Sequence, residues 1–203
     1  MRSTLGVSIL SAALMAADAP TAFPAEITGG VGGGLAMPVS DLDGPFDPDF
    51  TFTASASGKA RGLLAWRTEV GYDRLRLAGA IRSTCRANEL KCEVQLDLTY
   101  VAGGLEIGTD RDNDVAPYGY VTLGLYHVGA GAAVTNPRDP ESVITGSAAE
   151  NDFGVATGVG VRLKLGERWG VAIEGRYTGF TFALGDFTWG SLLTATAHAW
   201  IRF

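Results

Sequence analysis

The chain has 203 residues and a formal net charge of −6, with no basic run to mark a nucleic-acid partner. Charged residues make up 19%, and Gly is 28 of 203; ordinary soluble domains carry ~25% charge and about half as much glycine. The length suits one domain with a sizeable core, but the composition is unusual for a soluble enzyme.

Arg2 is followed by an apolar run from Leu5 to Ala17. The run is shorter than the ~20 residues a membrane helix needs, and it matches the hydrophobic region of a secretory signal. Gly6, Ser8 and Ser11 interrupt any one-faced helical pattern. Residues 1–25 are therefore expected to be a signal peptide, cut somewhere between residues 17 and 25, and residues 26–203 to form one domain. No later segment approaches 18 consecutive apolar residues.

From Ile27 onward the dominant period is two, which predicts strands. Eight are expected, at 27–38, 49–58, 63–75, 93–103, 117–128, 153–165, 168–180 and 192–203. Most have the ~9–11 residues of a tilted transmembrane strand. The first connection, "SDLDGPFDPD", leads into Asp49 and groups it with Asp41, Asp43 and Asp47. It looks superficially like the start of a calcium loop, but the later ligands and the closing Glu are missing. Asp, Gly and Pro are also ordinary turn residues, so no metal site is expected there, and no cofactor anywhere. The second connection, "KARG", is short. The third, 76–92, is long and holds both cysteines. In an exported protein Cys85 and Cys92 read as one disulfide, worth about 2.5 kcal/mol on the chain-entropy model. "TDRDNDVA" is intermediate, 129–152 is the longest connection, "GERW" is a tight turn, and "ALGDFTWGS" is longer again. In an up-and-down antiparallel sheet every second connection lies at the same end. One rim then carries long loops and the other carries turns and both termini, the asymmetry of transmembrane barrels.

The strands have two unlike faces. Trp169, Val171, Ile173 and Tyr177 oppose Ala172, Glu174, Arg176 and Thr178; Val155, Val159, Val161 and Leu163 oppose Gly154, Gly158, Gly160, Arg162 and Lys164. Leu64, Trp66, Val70 and Tyr72 oppose Arg67, Glu69 and Asp73; Val94, Leu96, Leu98 and Tyr100 oppose Glu93, Gln95, Asp97 and Thr99. Alternation alone does not say which face is inside. A soluble lipocalin-like barrel buries the apolar face, and a membrane barrel buries the polar one. The polar face is rich in Gly, Ala and Ser, which suits a narrow packed interior. Its charges also nearly balance: Arg67, Arg162, Lys164, Arg176 and Arg202 against Glu69, Asp73, Glu93, Asp97 and Glu174. A shut lumen needs such pairing, because an unpaired buried charge is costly. These ten residues are the expected lumen network. Trp66 and Trp169 at the short-turn ends, with Tyr72 and Tyr177 toward the long loops, are the expected interfacial aromatics.

The last strand ends "ATAHAWIRF", with Ala195, Ala197, Ala199, Ile201 and Phe203 on one face. This resembles the C-terminal signature of outer-membrane β-barrel proteins, which places the assembly signal at Ala199, Ile201 and Phe203. "RTEVGYDRL" and "APYGYVTLGLY" look like strand motifs of the same group. At the level of pattern, residues ~27–203 resemble the small eight-stranded OmpA/OmpX-type barrels. The resemblance implies an all-β, eight-stranded antiparallel barrel in the bacterial outer membrane. It also implies outer-membrane lipids and the barrel-assembly machinery as partners, a monomer, and an unidentified external partner for the loops.

Catalytic chemistry finds little support. Lipid A deacylases of this size pair a His with a Ser two residues away, and neither His127 nor His198 has that neighbour. Palmitoyltransferases need an empty apolar interior, whereas this one is charged. A structural or surface-interaction barrel is the leading reading. A narrow porin-like channel, a lipid-modifying enzyme and a soluble lipocalin-like binder are the alternatives.

Overall fold

The computed structural model describes residues 26–39, 42–109, 113–136, 139–184 and 187–203. The expected signal segment 1–25 and Asp41 lie outside these residues. The strands are β1 (Ile27–Val39), β2 (Phe46–Asp47), β3 (Asp49–Arg61), β4 (Leu64–Leu77), β5 (Lys91–Gly108), β6 (Val115–Asn136), β7 (Asp139–Lys164), β8 (Trp169–Leu184) and β9 (Phe187–Arg202). One helix, α1 (Gly79–Ala87), sits between β4 and β5. The two-residue β2 is a flap on β4. The other eight strands pair antiparallel in the order β1-β3-β4-β5-β6-β7-β8-β9, and β1 pairs with β9, so the sheet closes. Closure satisfies the ladder hydrogen bonds within the chain, which lipid requires of any spanning structure.

Two connections differ from their expected form. Residues 129–136 and 139–152 are strand rather than loop: β6 and β7 continue as a ladder from Gly129↔Ala149 to Thr135↔Val143, and β5 pairs along β6 from Lys91 to Asp97. The small residues of "GAGAAVTN" and "VITGSAAE" show little apolar alternation; residues 143–150 are exposed and 129–136 are exposed to half-buried. From Phe153 to Val143 the strand extends roughly 34 Å at ~3.4 Å per residue. The segment 76–92 contains α1, bridged to β5 through Cys85–Cys92.

The lower part of the barrel is inverted relative to a soluble protein. Leu123 and Ile173 point outward, 69% and 65% exposed, while Arg67, Glu69 and Glu174 point inward and are buried. The belt ends upward at a row of polar outward residues in ladder register, Tyr72–Thr99–His127–Asn151. Above that row the polarity reverses. Leu75, Leu96, Leu98, Tyr126, Val128 and Phe180 form an apolar core inside the barrel, closed from above by Leu42. Glu93, Gln95, Asp97 and Thr99 accordingly face outward rather than into the lumen. One continuous strand meets lipid below and water above, so its apolar face changes sides without any break in the period of two.

Candidate functional site

The lumen is crossed by a buried network of charges and tyrosines. Arg67 on β4 reaches Glu174 on β8 at 2.8 Å, and also Glu69 and Glu106, each at 3.3 Å. Arg176 on β8 reaches back to Asp73 at 3.0 Å and Glu69 at 3.4 Å on β4. Three strands separate β4 from β8 in either direction around the barrel, so these ion pairs span opposite walls. Arg162 holds Glu106 with two parallel bonds of 2.8 and 2.7 Å, the bidentate geometry that strengthens a guanidinium–carboxylate pair.

The tyrosines complete the carboxylates' hydrogen bonding. Tyr118 and Tyr120 donate to the two oxygens of Glu174 at 2.9 and 2.6 Å. Thr122 donates to Glu69 at 3.0 Å. Tyr100 pairs with Thr53 at 2.9 Å and accepts a short bond from Arg176, while Thr51 donates to Asp73. Arg67 stacks 3.8 Å over the centre of the Tyr120 ring, Arg162 lies 3.9 Å over Tyr118, and Arg176 lies 4.3 Å over Tyr100. The rings have room because Gly158 and Gly160 on β7 lie beside Tyr120 and Tyr118; a Cβ at either glycine would overlap the neighbouring ring. A cavity of about 20 Å³ remains beside Arg67, Glu174 and His198, about the space of a single water.

Of the ten charges expected in the lumen, the structure brings Arg67, Glu69, Asp73, Arg162, Glu174 and Arg176 together. Glu93 pairs instead with Lys91 on the exposed outer surface at 2.7 Å. Asp97 accepts from Tyr72 and from Gln95 on the outward face. Both were expected inside, and both lie above the belt, where water is the outer solvent. Lys164 is half-buried at the end of β7 that leads into the short turn to β8, below the network. Arg202 pairs with Glu26 at 2.8 Å and donates to the Glu167 carbonyl at the short-turn rim. Glu106, Tyr100, Tyr118 and Tyr120 were not among the expected members. Reading the fourth strand through "GGLEIG" would have placed Glu106 between outward Leu105 and Ile107, and so inside.

The remaining expected residues fall as follows. Trp66, Trp169 and Tyr177 lie on the outward face, with Trp169 and Tyr177 exposed; Tyr72 faces outward at the top of the belt and is half-buried. Ala199, Ile201 and Phe203 are outward and exposed, and the Phe203 amide donates to Ile27 at 2.9 Å. His198 is buried inside, 2.7 Å from Thr196 Oγ1, and His127 is exposed beside Asn151 at 2.8 Å. Asp47 and Asp49 are engaged by arginines on β4 and α1. Among the described residues there is no cluster of His, Cys, Asp and Glu able to hold a metal ion.

A search of curated proteins finds no match to this sequence. Solved structures share the fold. A major outer membrane protein from Thermus thermophilus is 14% identical, with a TM-score of 0.56 over 89% of this chain and 100% of that one. Neisserial surface protein A is 15% identical, with a TM-score of 0.54 over 87% and 97%. The attachment invasion locus protein Ail of Yersinia pestis, in complex with the heparin analogue sucrose octasulfate, is 15% identical, with a TM-score of 0.52 over 89% and 100%. The model of the outer membrane protein β-barrel domain matches residues 8–198. With nearly the whole chain matched, this protein belongs to the outer membrane protein β-barrel domain family and resides in the bacterial outer membrane.

Proposed function

We propose that this protein is a closed-lumen barrel with a structural and surface-interaction role, rather than a channel. The observation that carries the reading is the pair of ion-pair sets spanning the lumen from β4 to β8, Arg67–Glu174 and Arg176–Asp73. They lie in a barrel whose eight strands leave an interior just wide enough for side chains. The apolar plug of Leu75, Leu96, Leu98 and Leu42 above them is a second seal. Contact with the surroundings falls to the β6–β7 extension, whose residues 143–150 are exposed, Ile144 at 74%. Ala199, Ile201 and Phe203 serve as the assembly signal in this reading, and residues 1–25 as the export signal. No catalytic role is assigned to any residue.

Planar-bilayer recording tests the closed lumen. The wild-type protein is expected to give no discrete conductance steps. The double variant Arg67→Ala, Glu174→Ala, which removes one bridge across the lumen, is expected to leave the barrel closed, because Arg176 and the apolar plug remain. Reproducible wild-type steps, abolished on heat denaturation, would refute the closed-lumen reading in favour of a narrow pore.

A further inference from the structure

A strap of residues 42–47 crosses the outer mouth of the barrel. Leu42 is 1% exposed and sits in the apolar core with Leu75, Leu96 and Leu98, and Phe46 packs against the same core. Between these two anchors Asp43 and Gly44 are exposed. Gly44 has a φ of 103°, with nothing within 4 Å of where a Cβ would stand. The strap meets the sheet only through β2, which pairs with β4 at Phe46↔Leu77 and Asp47↔Arg76. Its other hydrogen bonds among the described residues run to the start of α1. Asp47 Oδ2 accepts from the Gly79 amide at 2.8 Å and from Arg82 Nη2 at 3.0 Å, and the Pro45 carbonyl accepts from the Ala78 amide at 2.9 Å.

The helix that holds the strap is itself held from outside. It has nine residues, none of them buried, and its N-cap Ala78 makes no side-chain cap. Isolated helices shorter than roughly 12–15 residues are marginal in water. The Asp47 carboxylate supports the first turn, where a negative charge is favourable. The last turn is pinned to β5 by the Cys85–Cys92 bridge. The chain between the two cysteines passes through Glu89 at a φ of 58°, a left-handed conformation uncommon outside glycine. The bridge therefore holds a turn that its own residues do not favour. Strap and helix support one another, and the disulfide ties both covalently to the barrel wall. Cys85 and Cys92 are half-buried, within reach of a small solute.

We infer that the Cys85–Cys92 disulfide is a redox latch on this strap: closed, it keeps α1 in place and Leu42 over the apolar chamber; reduced, it releases α1 and opens the chamber to the outside. The reductant is a low-molecular-weight thiol of the surrounding medium. Two such thiols are oxidised to their own disulfide as the Cys85–Cys92 S–S bond breaks, and their protons end on the two cysteines. The inference rests on the reading of Leu42 as the upper seal. The ion pairs from β4 to β8 lie below the chamber, so the latch opens a cup and not a pore.

The test uses the full chain, methyl-labelled at leucine and refolded in phosphatidylcholine nanodiscs. A soluble gadolinium chelate reports which methyl groups water can approach, through their relaxation enhancement. In the oxidised protein the methyls of Leu75, Leu96 and Leu98 are expected to be shielded. Reduction is expected to raise their enhancement at least threefold, while lipid-facing Leu123 stays unchanged. The variant Cys85→Ser, Cys92→Ser is expected to show the reduced level without thiol and no further response to it, and to keep the electrophoretic shift of a folded barrel. Asp47→Ala, with the bridge intact, is expected to raise the enhancement at least twofold, because it cuts the tie between α1 and the strap. A chamber still shielded after reduction, with both free thiols confirmed by alkylation and mass measurement, would overturn the latch. So would an enhancement that extends to Leu123, since the whole barrel would then have loosened. A shielded chamber in Asp47→Ala would overturn the coupling through α1. Bilayer conductance reads the lower ion pairs separately: an unresponsive chamber without conductance sinks the latch alone, and wild-type conductance steps with a responsive chamber sink the closed-lumen reading alone.

Discussion

Replacing Arg67 by methionine keeps most of the side chain's length and removes its charge. Arg67 is 2% exposed and touches Glu69, Glu106 and Glu174. Each acid keeps some hydrogen bonding without it: Glu106 from Arg162, Glu69 from Arg176 and Thr122, and Glu174 from Tyr118 and Tyr120. Glu174 is the acid left with no cation within ion-pair distance among the described residues. Removing one partner of a buried ion pair costs about 3–5 kcal/mol, because the other charge is left uncompensated. Replacing both partners by apolar groups is often close to neutral. Arg67→Met is therefore expected to destabilise the barrel by about 3 kcal/mol or more, and adding Glu174→Leu is expected to recover most of that loss. The loss is capped because Tyr118 and Tyr120 still donate to Glu174 in the single variant. The assay is reversible urea unfolding in lipid vesicles, followed by tryptophan fluorescence and by the mobility difference between unheated and heated samples. A single variant within about 1 kcal/mol of wild type, the range of exposed ion pairs, would show that water reaches Glu174 and would refute the sealed network. A double variant less stable than the single would refute the assignment of the cost to an unpaired charge.

Three further outcomes are expected. Gly158→Val places a branched side chain where the Tyr120 ring lies, and overpacking there is expected to cost about 1–3 kcal/mol, measured in the same unfolding assay; Gly175→Ala, where a Cβ meets nothing within 4 Å, serves as the near-silent comparison. The variant Cys85→Ser, Cys92→Ser is expected to fold and to keep its heat-modifiable migration, since the bridge joins α1 to β5 above the belt; loss of the folded band would contradict that placement. Ile201→Asp, or removal of Phe203, is expected to reduce outer-membrane levels sharply in cells while weakening detergent refolding by only about 1 kcal/mol, the scale for a charge near the interface; normal accumulation in fractionated membranes would count against the terminal signal.

Much of the fold is legible in the sequence. The period of two fixes the number of spanning strands, and on the sixth, seventh and eighth spanning strands (β7, β8 and β9) it also identifies the inward face. Glu174, Arg176, Arg162 and His198 alternate with outward Val, Ile and Ala, and all four are buried in the lumen. These stretches lie within the lipid belt, where a single rule, apolar outward, holds throughout. The closeness of Cys85 and Cys92 in an exported chain likewise points to the bridge found between them.

The fourth expected strand shows where pattern alone fails. In "EVQLDLTY" the alternation is as regular as in any other strand, yet the apolar residues Leu96 and Leu98 point inward and Glu93 and Asp97 outward. Alternation records that two faces meet different surroundings, without recording which face meets which. That depends on where the membrane surface crosses the strand, and the crossing near Thr99 is set by the register with Tyr72 and His127 on the neighbouring strands. The same limit hid the ladder of residues 129–135 with 143–149, because its small, largely exposed side chains carry no apolar stripe to reveal it. The pairing of Arg67 with Glu174 was equally out of reach of local pattern: 107 residues separate them in sequence, and only closure of β1 against β9 brings β4 and β8 face to face across the lumen.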